Sequence, residues 1–409
     1  MHAIILIWLL LAGPVWAAVG ALRLPRQYHR RGLDSSQSSY VGTLAGLVAG
    51  PFALYYLWQK TPSLSRRAMV SLFIAALAEL FIIFALFFPD NLCATNHTYV
   101  TQQVLNGLTI GTIYALMAIG LTLIYSIQGV VSFAHGQFYM VGGYASLFFL
   151  DAAAEDVGIE LNPVWGIIVA GFVTMAIGIL FERFFLRPMH TGQIERAREY
   201  AILITFGFGF FMEYTTLATI GPQPHRAGRF IQTASLRLEP LTVGDTPLLG
   251  RLIFQPNRLA SGLIAVLLIA ALVYFLQRTW TGRGLRAVSM DKQAAAVTGI
   301  NPLGMNTLAF GIGTMLAGMS GAALVPIFDW VPWVGAAAAT RSYVVVVLGG
   351  LGSVPGALLG GLVLGVVEAL GSGCYPNPSK GASYIQAFGL VIFAVVLLLK
   401  PTGLFGRKL

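Results

Sequence analysis

Charge is what this sequence most lacks. Asp, Glu, Lys and Arg together supply 10% of its 409 residues, against about 25% in an ordinary soluble domain. So few charges cannot clothe a water-facing surface over this length, which excludes a soluble globular reading for most of the chain. Histidine is sparse and scattered. His2, His29, His97, His135, His190 and His225 fall in separate segments with no His-x-x-x-His pair, so no metal ligand set is expected and a zinc-type membrane hydrolase is disfavoured. There is no Gly-x-x-x-x-Gly-Lys-Ser/Thr phosphate loop, and the chain itself is expected to hold no nucleotide or other cofactor. The two cysteines, Cys93 and Cys374, make no metal spacing and no local redox pair. Two separate structural thiols are expected, with pairing as the alternative in an oxidising compartment.

What is present is apolar. Hydrophobic residues make up 56% of the chain and mean hydropathy is +0.76. The 47 glycines lie inside the apolar stretches instead of forming polar linkers. A bilayer core about 30 Å thick needs roughly 20 apolar residues of helix, and backbone in lipid must satisfy its own hydrogen bonds. The expected fold is therefore all-α, a polytopic transmembrane bundle. Nine core spans are read at 107–125, 133–150, 164–184, 200–220, 259–277, 303–326, 337–352, 354–371 and 385–400. The span 337–352 is short enough to dip into the membrane and return. Two or three further hydrophobic helices are read at 3–20, 40–58 and 69–89, making residues 1–100 an extension to a core of 101–409.

The formal net charge of +9 is carried by short clusters between apolar runs, the distribution that orients a membrane protein, and no nucleic-acid partner is expected. Loop 185–199 holds Arg187, Arg196 and Arg198, loop 278–302 holds Arg278, Arg283, Arg286 and Lys292, and the tail holds Lys400, Arg407 and Lys408. These read as cytoplasmic, C-terminus included. Loop 151–163 is purely acidic and reads as external. Nine spans starting from an external segment 90–104 satisfy all four assignments. Two segments resist the rule: 221–258, external by parity, holds five arginines, and 22–38 holds four. Either residues 1–21 are a cleaved signal or one of the first three stretches does not span.

Small residues recur every fourth position in Gly107/Gly111/Ala115, Gly313/Ala317/Gly321 and Ala357/Gly361/Gly365/Ala369. Such rows let helix backbones approach closely. Two glycine-dense stretches, 126–136 and 349–356, read as sharp connections or helix interruptions. Acids inside spans are few: Glu79, Glu213 and Glu368, with no Lys or Arg read at comparable depth. An ion-coupled carrier usually keeps paired ionisable groups there. The polar candidates for lining a pathway are Asn106, Tyr114, His135, Glu213 and Glu368.

Residues 282–301 carry the most information. Basic residues open the stretch, an alanine-rich helical run follows, and Gly299-Ile300-Asn301 stops it. A short amphipathic helix between two spans can be pushed from outside the membrane; its plainer reading is a solvated loop. Here the sequence resembles a known family. Gln293-Ala294-Ala295-x-x-x-Gly299 is similar to the coupling loop of ABC importer permeases, with Gln293 where the pattern has Glu. Gln103-Val-Leu-Asn106-Gly107, Ser132-Phe-Ala-His135-Gly136, Gly282-Arg283-Gly-Leu-Arg286-Ala, Val347-Leu-Gly-Gly-Leu-Gly-Ser353-x-Pro355-Gly356 and Lys400-Pro-Thr-Gly403 resemble, in order, motifs of the permeases for branched-chain amino acids.

The resemblance covers about residues 101–409 and implies a non-enzymatic, multi-pass permease subunit of the bacterial inner membrane. It implies a second homologous permease, two cytoplasmic ATP-binding subunits that use ATP and Mg, and a periplasmic solute-binding protein as partners. It implies that Gly282, Arg283, Arg286, Gln293, Ala294, Ala295, Gly299 and Asn301, in the loop 278–303, couple to the ATPases. Branched-chain amino acids are the expected cargo; urea, another amide or a small organic acid is the alternative, and an ion-coupled secondary transporter the rival class.

Overall fold

The computed structural model describes Cys93 and residues 96–405, with short gaps at 94–95, 157, 159–160, 233–234, 239–240, 244–245, 250–251, 376–377, 400–401 and 404. The three N-terminal stretches, Glu79 and the signal question lie outside the described residues. The chain divides into two units between Asn96 and His97, and the core spans all lie in the second.

A helix occupies most of each of the nine expected core spans, and two shorter helices lie between the fifth and sixth. They are α1 (His97–Gln128), α2 (His135–Asp156), α3 (Pro163–Phe181), α4 (Ala197–Ile220), α5 (Pro256–Arg278), α6 (Trp280–Met290), α7 (Lys292–Val297), α8 (Pro302–Leu324), α9 (Val334–Gly349), α10 (Val354–Gly373) and α11 (Ile385–Leu399). Six of them, α1, α3, α4, α5, α8 and α10, are long and apolar enough to cross a membrane; α3 runs on through a π-turn, Glu182–Leu186, to His190. The 221–258 segment is the departure from an all-helical reading. It contains two small antiparallel hairpin-like pairs, β1 (Leu236–Leu238) with β4 (Leu252–Phe254) and β2 (Leu241–Val243) with β3 (Thr246–Leu249).

The helix starts follow from local chemistry. Asn162 and Asn301 accept hydrogen bonds from the first free backbone N–H groups of α3 and α8, and a proline follows each at the first helical position, where its missing N–H and fixed φ cost nothing. Ser353 does the same for α10 by accepting from Gly356 N. α1 stops at Gly129, whose φ of 77° is open to glycine but strained for other residues.

Helices α1 and α8 form the centre and are buried over most of their length. α1 packs along α10, α8 and α5, and α8 packs on α3 and α2 as well. The small-residue rows make these approaches. Gly107, Gly111 and Ala115 face Gly361 and Gly365, and a Cβ on Gly361 would stand 2.6 Å from Ala115 N. Gly361→Leu is therefore expected to force α1 and α10 apart at a cost of about 3 kcal/mol. Size-exclusion of the solubilised full chain should show most of it aggregated; a monodisperse variant of unchanged melting temperature would refute the packing account.

Two connections fold back into the bundle. His135, the first residue of α2, donates from Nε2 to Met117 O at 3.0 Å, so α2 begins beside the middle of α1 and not at its end. Eleven residues of α1, roughly 16 Å, separate that level from Gln128. The segment 325–333 likewise buries Trp330, whose Nε1 donates to Met140 O at 3.0 Å. Gly136 of α2 and Gly335 of α9 then meet backbone to backbone. The N-terminal ends of α2 and α9 thus lie side by side within the bundle. The short span read at 337–352 is explained by this late start.

Both cysteines are disulfide-bonded, which corrects the expectation of separate thiols.

Candidate functional site

Midway along its length, α9 carries a charge into the bundle. Arg341 is the sole charged residue between 337 and 352, and its Nε donates to Glu368 of α10, at 3.1 Å to Oε1 and 3.3 Å to Oε2. The side chains are 23% and 6% exposed. The reading of Glu368 as an acid without a basic partner is thereby overturned. An isolated charge in such a place would cost several kcal/mol; the pair removes most of that cost.

Aromatic hydroxyls complete the cluster. Tyr114 of α1 donates to Glu368 Oε2 at 3.1 Å, and its ring lies 5.4 Å from the Arg341 guanidinium. Tyr139 of α2 packs at a tilt against Trp330, ring centres 5.0 Å apart. Around these groups lies a cavity of ≈ 30 Å³, lined by Tyr114, Met117, Tyr139, Ala338, Arg341 and Ser342 among others, space for a water or two. Helices α1, α2 and α9 line it, and α10 brings Glu368 against Arg341 from behind.

Of the sequence candidates, Tyr114 and Glu368 are brought together here. His135 stands behind the cavity wall through its bond to Met117 O and lies fully buried. Glu213 does not join them: it sits on α4 and accepts from Gln137 Nε2 at 2.8 Å. Asn106 lies two turns before Tyr114 on α1, near Gln102, which holds β4 through both Ile253 backbone groups. Arg341, Tyr139 and Ser342 were missed. An arginine in an otherwise uncharged span was the available signal for the first; nothing in the sequence marks the other two. A further acid also escaped notice, since Glu182 is buried at the end of α3 and accepts from Thr307 Oγ1 at 2.6 Å.

The loop 278–303 forms two helices instead of one. Asp291 divides them and caps α7 by accepting from Gln293 N and Ala294 N. Gly282, Gly284, Leu285 and Val288 of α6, and Ala295 of α7, are buried, while Arg283, Arg286, Gln293 and Ala294 face outward. Arg283 covers the Trp280 ring at 5.5 Å. Trp280 and Met290 are each 85% exposed and Val297 is 90% exposed. Gly299 ends α7 with a φ of 88°, and Asn301 starts α8. Gly282 therefore serves close packing on Phe275 and Leu276, and Asn301 serves as a helix cap. Lys292 reaches back from α7 to Gln128 O, the end of α1, at 3.5 Å; partial burial holds its ammonium below the ordinary lysine pKa. Gln128 in turn donates to Asn306 O at 3.1 Å.

A family model described as the permease component of branched-chain amino acid transport systems matches residues 103–399. The chain belongs to this permease family. It is 34% identical over 315 residues to the proteins named high-affinity branched-chain amino acid transport system permease protein LivH from Salmonella typhimurium and from Escherichia coli K12, covering 76% of this chain and 96% of each relative. It is 32% identical over 314 residues to BraD of Pseudomonas aeruginosa, which bears the same description, covering 75% and 95%. No solved structure matches the permease. It is a helical, multi-pass membrane protein of a transport system.

Proposed function

We propose that this chain is the membrane-spanning permease subunit of an ATP-driven ABC importer that moves branched-chain amino acids inward by alternating access. The observation that carries this reading is the α6–α7 pair. One face is seated on the bundle, and the other presents Arg283, Arg286 and Gln293 with the bare side chains of Trp280, Met290 and Val297. In this reading the pair lies on the cytoplasmic side, where large apolar side chains facing water mark a surface meant for another protein. A cytoplasmic ATPase subunit docking there would push on α7, and Lys292 would pass the movement to the end of α1, the helix that carries Tyr114. In this reading a second permease completes the pathway, a periplasmic binding protein delivers the cargo, and partner subunits hydrolyse ATP.

The test is uptake by the full chain co-reconstituted with its partner subunits and binding protein. Leucine accumulation that requires ATP is the expected result, as is labelling of Gln293→Cys from the cytoplasmic side alone. Uptake driven by a membrane potential without nucleotide would favour the ion-coupled carrier. Accumulation of urea or an organic acid in place of leucine would move the cargo to that alternative, and periplasmic labelling of position 293 would overturn the orientation.

A further inference from the structure

The groups around the small cavity do more than neutralise one another. Arg341 spends only its Nε on Glu368; among the described residues nothing accepts a hydrogen bond from its two terminal nitrogens. That fork is the part of a guanidinium that grips a carboxylate with two parallel bonds. Ser342 Oγ, on a residue 1% exposed, lines the same cavity with no hydrogen-bond partner. The N-terminal ends of α2 and α9 lie side by side nearby, each bringing the partial positive charge of a helix start. Behind the lining, the Glu368 carboxylate stands against the guanidinium, about 3 Å away. The remaining walls, Met117 and Ala338 included, are apolar.

The ligand complementary to this arrangement carries a carboxylate beside an ammonium on an apolar body. We propose that the Arg341–Glu368 pair, with Ser342 and Tyr139 beside it, receives the zwitterionic head group of an α-amino acid during its passage through this chain. The carboxylate takes the free fork of Arg341 and the ammonium takes Glu368. Each charge exchanges one counter-charge for another, so neither is ever left bare in the bundle. A neutral amide such as urea, or a simple organic acid, matches at most half of the site. The cavity of ≈ 30 Å³ is the closed form; the head group enters when α9 and α10 part.

This proposal rests on the importer reading, and the experiment separates the two. The full chain with its partner subunits, in lipid nanodiscs without the binding protein, is titrated calorimetrically with leucine, leucinamide, N-acetylleucine and urea. Leucine is expected to bind at least tenfold tighter than leucinamide, which lacks the carboxylate, and than N-acetylleucine, which lacks the ammonium. The double variant Arg341→Gln/Glu368→Gln, assembled with its partners as judged by copurification, should bring the three leucine compounds within about threefold of one another. A wild-type assembly that shows no preference for leucine, or that does not bind it, overturns the proposal whether or not the variant folds. A double variant that keeps the wild-type preference and the wild-type KM for uptake also overturns it, while leaving the importer standing. Absence of any ATP-dependent leucine uptake by the wild-type assembly would instead remove the importer reading beneath it.

Discussion

Glu368→Leu should harm the permease more than removing Glu368 and Arg341 together. The single change leaves the Arg341 guanidinium, 23% exposed, inside a bundle with no other described carboxylate bonded to it. Breaking a buried pair by deleting one member costs about 3–5 kcal/mol, because the survivor stays charged and unsolvated, whereas replacing both with apolar residues of similar volume is often neutral or stabilising. Arg341→Met/Glu368→Leu should therefore recover most of the melting temperature lost in Glu368→Leu. Tyr114→Phe, which deletes one hydrogen bond to Glu368 Oε2, should cost only about 1 kcal/mol. Thermal unfolding of the four solubilised proteins checks the order. If the double variant melts as low as the single one, the two charges are not acting as one unit.

A second large effect is expected at Gly299→Val. The residue closes α7 with a φ of 88° and has open space around it, so the substitution meets no neighbour and acts through the backbone alone. A left-handed conformation costs an ordinary residue about 1–2 kcal/mol, and a β-branched side chain sits at the unfavourable end of that range. Relief comes from unwinding the end of α7, which shifts the face bearing Gln293 and Val297. ATP-driven uptake should fall roughly tenfold, one factor of ten for each 1.4 kcal/mol, with the amount of membrane-inserted protein unchanged. Gly299→Asn is the control: asparagine tolerates the left-handed region, and uptake should stay within about twofold of wild type. Equal uptake by the valine and asparagine variants would show that the end of α7 does not govern coupling.

How much could be read in advance depended on the kind of signal. Lengths of apolar sequence located every core helix, because the demand for self-satisfied backbone in lipid is local and one-dimensional. The caps at Asn162-Pro163, Asn301-Pro302 and Ser353 were not read in advance, although their bonds span only two or three residues. The spacing of Gly107, Gly111 and Ala115 told that a close contact existed, though not that Gly361 and Gly365 would supply its other side. The split of the 278–303 loop at Asp291 went unread. Its Asp cap has the same local chemistry as the others, but the helix it opens is six residues long and merges by composition with the run before it.

The candidate site was legible only in part. Tyr114 and Glu368 were singled out separately, and Arg341 was passed over although it stood as the lone charge in an uncharged span. Partnership between positions 114, 341 and 368 spans 254 residues at its widest, and no periodicity records a contact at that range.

What the sequence determined by itself was the solvent, the helical architecture and the family, since each follows from composition or from residues close together in the chain. The tertiary structure alone decided that the connections before α2 and α9 turn back into the bundle, that these two helices begin side by side, and that one arginine and one glutamate meet there. The reason is physical. A charge in a low-dielectric interior is tolerable only beside a counter-charge, and which counter-charge stands within reach is fixed by the packing of whole helices.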